Sequence, residues 1–206
     1  MASFDIAYKL TAALEGGWAN HPLDRGGETY CGIARKFWPN WDGWKIIDQL
    51  KEPGDSVADI NETLSKNALL PFEVKTFYMI NFWKPLDLFQ DYISQGVANE
   101  LYDTAVNQGV QTAGMYLQKA INLLNQNGLL YKDLKEDGNV GPVTLAAYQA
   151  IVLHYRSKYG QLAVDRVVVK ALDGLQYERY KEICERDNSQ EVFFFGWVLN
   201  RIGYVG

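Results

Sequence analysis

Cysteine is scarce in this chain: there are two in 206 residues, Cys31 and Cys184, with no paired spacing. That excludes a disulfide framework and a cysteine-built metal site, and both are expected as thiols outside any disulfide. Excess positive charge is also missing. Lys and Arg number 20 against 25 Asp and Glu, for a net charge of −5, so there is no electrostatic case for nucleic acid. No apolar run is long enough to span a bilayer. The opening residues lack the basic cluster and unbroken apolar stretch of a signal peptide, so synthesis in the cytoplasm is expected. Internal repeats, low-complexity tracts and flexible linkers are absent as well. What the chain does have is length enough for one sizeable core or two small ones, and many aromatics: six Trp, thirteen Tyr and nine Phe.

The organising stretch is Glu15-Gly16-Gly17-Trp18, continued to Ile33. Before it, Phe4, Ala7, Tyr8, Leu10, Ala13 and Leu14 recur at helical spacing, which predicts a half-buried helix over Phe4 to Leu14. Gly16-Gly17 stops that helix, because glycine adopts the left-handed conformation without steric cost. Glu15 then sits in the last turn, where the helix carries partial negative charge and stabilises cations rather than anions. A carboxyl there, beside Leu14 and Trp18, is expected to hold its proton more tightly, as a general acid must. Gly26 to Gly32 reads as a strand pair with glycines at the turns. Asp24, in a Pro-containing turn, supplies a second carboxylate and Thr29 a hydroxyl. An acid for the leaving oxygen, with a base or nucleophile across the sugar, is what glycoside hydrolysis requires.

These residues resemble the glycoside hydrolase 108 muramidases, phage and prophage lysozymes whose pattern runs roughly E-G-G-[YW]-x-N-D-P-x-D-x-G-G-x-T-x-x-G-I-T. The match covers Glu15, Gly16, Gly17, Trp18, Asn20, Pro22, Asp24, Gly26, Gly27, Thr29, Gly32 and Ile33, with departures at His21 and Ala34. The resemblance implies a mainly α, lysozyme-like fold with one small β-hairpin next to the active-site helix. It also implies Glu15, Asp24 and Thr29 as the catalytic set, with no metal and no cofactor.

Further along, Ile33 to Trp38 suggests a short helix stopped by Pro39. Trp18, Trp38, Trp41 and Trp44 crowd the region of the acid. Aromatic faces stack on sugars, yet most tryptophans are buried packing, so both roles stay open. Trp18 and Tyr30 are the expected glycan contacts here. A helix is predicted near Ser56 to Asn61, and another over Pro71 to Trp83 dense enough in apolar residues to be buried. From Val97 the pattern becomes clean amphipathic helices. Asp103, Val106, Asn107 and Gly109 match the family's D-x-x-V-N-x-G stretch. On that resemblance Asn107 and Gln108 are candidate glycan contacts, with helix capping the alternative for Asn107.

Asp137-Gly138-Asn139-Val140-Gly141-Pro142-Val143-Thr144 is similar to the D-G-x-x-G-P-x-T signature of peptidoglycan-binding helical domains. It is equally a sound helix-start loop, since two glycines permit the turn and Pro142 suits a first helical position. Gln161 to Asp187 predicts one long helix. Ser189 is expected to cap a strongly apolar last helix, whose Gly196, Trp197, Asn200 and Arg201 are similar to the family's G-W-x-x-R stretch, with the arginine one place later. The expected domains are a lysozyme-like catalytic region over 1–94 and a helical peptidoglycan-binding region over 95–206.

The sequence therefore points to an N-acetylmuramidase cutting the β-1,4 bond between N-acetylmuramic acid and N-acetylglucosamine in peptidoglycan glycan strands. Asp24 and Thr29 together favour a water held for inversion. The alternatives are a lytic transglycosylase needing only Glu15, and a non-catalytic wall-binding or secretion-associated protein. A cytoplasmic wall hydrolase needs a holin or another export route to reach its substrate.

Overall fold

The computed structural model describes residues 1–12, 16–20 and 27–203. Nine α-helices and one three-stranded antiparallel sheet lie among them, a mainly α, lysozyme-like architecture. The chain forms two compact units, Thr11–Ile80 and Met1–Leu10 with Asn81–Gly206. No helix among the described residues is long and apolar enough to cross a membrane.

Helix α1 spans Phe4–Ala12. Its buried positions Phe4, Ala7 and Thr11 follow the three-to-four spacing of an amphipathic helix. The helix starts under the side chain of Gln95, which accepts from Ser3 N at 2.7 Å and donates to Ser3 O at 3.0 Å. Phe4 packs edge-on against Trp83 and Tyr102, with ring centres 5.6 and 5.7 Å away.

In the first unit the strands are β1 (Trp18–Ala19), β2 (Thr29–Tyr30) and β3 (Ile33–Ala34), in that order across the sheet. Trp18 pairs with Tyr30 and Ala19 with Thr29, while Tyr30 pairs with Ile33 and Thr29 with Ala34. Sequence predicted two strands; Trp18–Ala19 adds a third. The short helix expected over 33–38 is also absent. Cys31 and Gly32 both take positive φ, 45° and 77°, the two-residue turn whose twist suits a hairpin. That turn sends Ile33 and Ala34 back along Tyr30 as a strand, and Arg35 N then donates to Glu28 O at 2.8 Å.

Three helices complete this unit: α2 (Gly43–Leu50), α3 (Val57–Ser65) and α4 (Leu70–Tyr78). Ser56 and Asp59 form a reciprocal capping box at the start of α3, each side chain satisfying the backbone N–H of the other. The helix predicted to Trp83 is α-helical only to Tyr78. It continues as a π turn over Met79–Trp83 and a 3-10 turn over Lys84–Leu86, which contains Pro85. Nor is it buried all round: Leu70, Val74, Phe77 and Tyr78 are inside, but Phe72 and Ile80 face solvent.

The second unit packs α5 (Gln95–Gln108), α6 (Val110–Leu124), α7 (Pro142–Tyr159), α8 (Gln161–Arg186) and α9 (Glu191–Arg201). Gly109 at φ 95° joins α5 to α6, and Gly160 at φ 82° joins α7 to α8, each a single-residue corner. A side chain would be strained at either position. Ser189 does not cap α9. It lies in a 3-10 turn, Asn188–Gln190, capped by Asp187. On α9, Val192, Phe195 and Leu199 are exposed, while Trp197 stacks on Tyr180 with ring centres 5.1 Å apart.

Candidate active site

Of the expected catalytic set, Glu15 and Asp24 lie outside the described residues. Thr29 is described. It is half-buried on β2, and its hydroxyl donates to Gly27 O at 3.2 Å.

The segment following Glu15 is held by a residue that sequence reasoning passed over. Asn61, on α3, accepts from Trp18 N at 2.6 Å and donates to Trp18 O at 2.9 Å, satisfying both backbone groups of β1's first residue. Its amide also donates to Val57 O at 3.0 Å, which keeps it in place on its own helix. A Cβ on Gly17 would overlap the Asn61 amide. The second glycine of the E-G-G motif is therefore required by contact with α3. Nothing approaches a Cβ at Gly16.

A second unforeseen residue is Glu28. Its Oε1 accepts from the Trp18 indole Nε1 at 2.8 Å and from Lys51 Nζ, and its Oε2 pairs with Arg35 Nε at 2.6 Å. Arg35 makes a two-pronged pair with Asp48, at 2.6 and 2.9 Å, and lies 4.3 Å over the Trp44 ring. The hydrogen bonds to Asp48, with the charge of Glu28, push the Arg35 pKa up, and the hydrogen bonds from Arg35, with the charges of Arg35 and Lys51, hold Asp48 below the usual carboxylate range. With a side chain only 15% exposed and two cations against it, Glu28 anchors the sheet to α2. It stands one residue before Thr29, but its oxygens are committed to this network. Only its place in a hairpin, with Lys51 and Arg35 distant in sequence, could have signalled it.

Trp18 and Tyr30 form one cross-strand pair, and each is 8% exposed. Lys51 lies 5.3 Å over the Trp18 ring, and Tyr30 stacks on Trp41 with centres 6.3 Å apart. Trp41 meets Trp44 and Phe77 edge-on, and Trp38 meets Phe77 likewise. Trp38, Trp41 and Trp44 of the aromatic crowd read from the sequence are thus connected through Tyr30 and Phe77, with Trp38 the most exposed of them. Tyr78 donates to Cys31 O at 2.8 Å.

Asn107 and Gln108 belong to the other unit. The Asn107 amide turns back along α5, donating to Asp103 O at 2.8 Å and to Asp103 Oδ2 at 3.2 Å. Gln108 Oε1 accepts from the Tyr116 hydroxyl at 3.0 Å. The D-G-x-x-G-P loop is also engaged inward. Gln118, buried on α6, accepts from Gly138 N at 2.8 Å and donates to Asp137 Oδ1, Asn139 O and Thr144 Oγ1. Gly114 lets α6 approach closely, since a Cβ there would overlap Gly138 O. No group of three or more His, Cys, Asp or Glu suited to a metal occurs among the described residues.

A small sheet following the first helix, on a mainly helical body, defines a lysozyme-like protein. Residues 8–109 match the family described as Glycosyl hydrolase 108, and residues 112–202 match the Predicted Peptidoglycan domain. The chain belongs to the glycosyl hydrolase 108 family and carries that peptidoglycan domain behind it: it is a glycoside hydrolase acting on cell-wall peptidoglycan. Among solved structures it is similar in fold to Brucella abortus SagA, with 23% identity and a TM-score of 0.61 over 98% of this chain and 90% of that one. Among curated proteins, none matches it.

Proposed function

We propose that the enzyme is an N-acetylmuramidase that hydrolyses the β-1,4 bond between N-acetylmuramic acid and N-acetylglucosamine. Glu15 protonates the leaving oxygen, Asp24 activates a water on the opposite face, and Thr29 holds that water, so that the anomeric centre inverts. Trp18 and Tyr30 serve as the buried floor that keeps β1 and β2 in register. The observation that carries this reading is the rigid seating of the residues next to the acid. Asn61 takes both backbone groups of Trp18, Gly17 admits it, and β1 then fixes β2 and Thr29 through the Ala19–Thr29 pair. Catalytic groups need placement of that kind, since small displacements cost large factors in rate.

The test is mass spectrometry of fragments released from purified peptidoglycan by the wild type and by Glu15→Gln. Reducing muramic acid ends from the wild type, with release reduced about 100-fold or more in the variant, are expected. Anhydro ends would make the enzyme a transglycosylase, and unchanged release from Glu15→Gln would remove Glu15 from the chemistry. Synthesis in the cytoplasm, as in a phage or prophage endolysin, would leave access to the wall to a holin or another exporter. Cells expressing the enzyme should lyse only when a holin is co-expressed, and lysis without one would refute this route.

A further inference from the structure

The corner where α7 turns into α8 holds an open cleft of about 220 Å³, lined wholly by apolar surface from Leu124, Ile151, Tyr155, Tyr159, Val164 and Val167, with Ala163. Most apolar side chains around a helix corner close over one another. Here Tyr159 is 57% exposed and Val167 48%. The two tyrosines stand one turn apart on α7 with rings stacked, centres 6.2 Å apart and planes 28° from parallel. Tyr155 is fixed from below: its hydroxyl donates to Leu124 O at 2.9 Å and accepts from Gln126 Nε2 at 3.0 Å. Tyr159 therefore rests on a rigid partner as a flat outward platform. Lys158 places its ammonium 5.0 Å over the Tyr159 ring, putting a cation at the rim of an acidic chain.

We propose that this cleft is a peptidoglycan subsite that takes the peptide-bearing muramyl unit of the strand. This rests on the peptidoglycan reading and adds where the second unit holds the polymer. The chemistry matches part by part. A sugar's apolar face covers an aromatic ring, and Tyr159 is the exposed ring. The N-acetyl, lactyl and alanyl groups of the muramyl peptide are methyl-rich, and an apolar well that water fills poorly favours such guests. The same unit carries carboxylates, which Lys158 faces at the rim. An exposed pair of that kind is weak and screened by salt, so it tunes salt dependence more than affinity. The Asp137–Thr144 loop is a weaker candidate, because Gln118 already engages several of its polar groups.

The test uses the full chain as Glu15→Gln, sedimented with purified sacculi and with glycan strands stripped of peptide by an amidase. The parent should sediment with sacculi and about 10-fold more weakly with stripped strands. Adding Tyr159→Ala should weaken sacculus binding about 10-fold, whereas Tyr159→Trp keeps it. Val167→Asp, which charges the well, should weaken it as well. Lys158→Glu should weaken it at low salt but not near 1 M salt, where the screening length falls to about 3 Å. Tyr159 and Val167 are about half exposed, and unchanged near-ultraviolet dichroism checks that each variant folds. Sacculus binding by folded Tyr159→Ala and Val167→Asp equal to the parent's would overturn the subsite. Equal parent binding to stripped strands would overturn its assignment to the peptide-bearing unit. A wild type that digests walls while neither Tyr159 nor Val167 matters leaves the hydrolase reading standing; a wild type that neither binds nor digests them defeats that reading itself.

Discussion

Arg201 reaches back across 98 residues to place Nη1 2.5 Å from Oδ1 of Asp103. Their side chains are 12% and 1% exposed, so the pair ties α9 to α5 out of water. Asp103 belongs to the D-x-x-V-N-x-G stretch and Arg201 to the Gly196–Arg201 stretch, so two segments distant in sequence are two halves of one contact. Removing either partner strands a buried charge. Arg201→Met or Asp103→Leu alone should cost about 3 kcal/mol in urea unfolding, and the double variant should recover most of it. Additive losses would show the two side chains acting independently.

Gly17 and Asn61 should be coupled in the same way, through sterics. Gly17→Ala forces a methyl into the Asn61 amide and should cost about 2 kcal/mol, with a matching loss of wall-clearing activity. In an Asn61→Ala background the obstacle is gone, so the added cost of Gly17→Ala should fall below about 0.5 kcal/mol. Asn61→Ala by itself unpins Trp18 and should lower activity as well. A Gly17→Ala penalty that persists without the Asn61 amide would refute the coupling.

Glu28→Gln should loosen the sheet from α2. An amide in that place cannot pair with Arg35 and Lys51 as an anion, and a loss of about 2 kcal/mol is expected. Trp18 emission should shift to the red as the loosened sheet admits water to its buried indole. Asp48→Asn is the control: Asp48 is 49% exposed, so its loss should cost under about 1 kcal/mol. Equal effects from both variants would contradict this ranking.

Glu100 makes the second unit lose stability as pH rises from about 4 towards about 9. It is fully buried on α5, with no hydrogen-bond partner for either oxygen among the described residues. Burial first, then the charges of Asp173 and Asp103, push its pKa up to about 9. Arg201 and Tyr180 are the other ionisable groups at this end of the α5–α8–α9 packing. An acid whose folded pKa lies above its unfolded value of about 4.3 costs nothing below that value. Between the two it costs about 1.4 kcal/mol per pH unit. Glu100→Gln should therefore be nearly neutral at pH 4 and clearly stabilising at pH 8, measured by melting temperature. Equal shifts at both pH values would exclude the buried acid as the source.

How much of this was legible in the sequence depended on whether a feature is local. Helices α5 to α8 were visible from apolar spacing and from Gly109 and Pro142, because periodicity and backbone preference act within a few residues; the Gly160 corner was not read. The 33–38 segment misled, since a helix-compatible composition was overridden by the Cys31-Gly32 turn and by Arg35 being drawn to Glu28. Phe72 and Ile80 misled for a related reason: apolar density shows that a helix has much to bury, but not which neighbour will cover each face.

By itself the amino-acid order determined the family, the helical class, the helix end at Gly109 and the motif that carries Glu15, Asp24 and Thr29, all written in short-range patterns of residue type. Only the folded chain decided that Asn61 seats Gly17, that Glu28 gathers Trp18, Arg35 and Lys51, and that Asp103 meets Arg201. Those contacts join residues from 7 to 98 positions apart. They depend on which surfaces the packing of whole helices and strands brings together, and no local pattern encodes that.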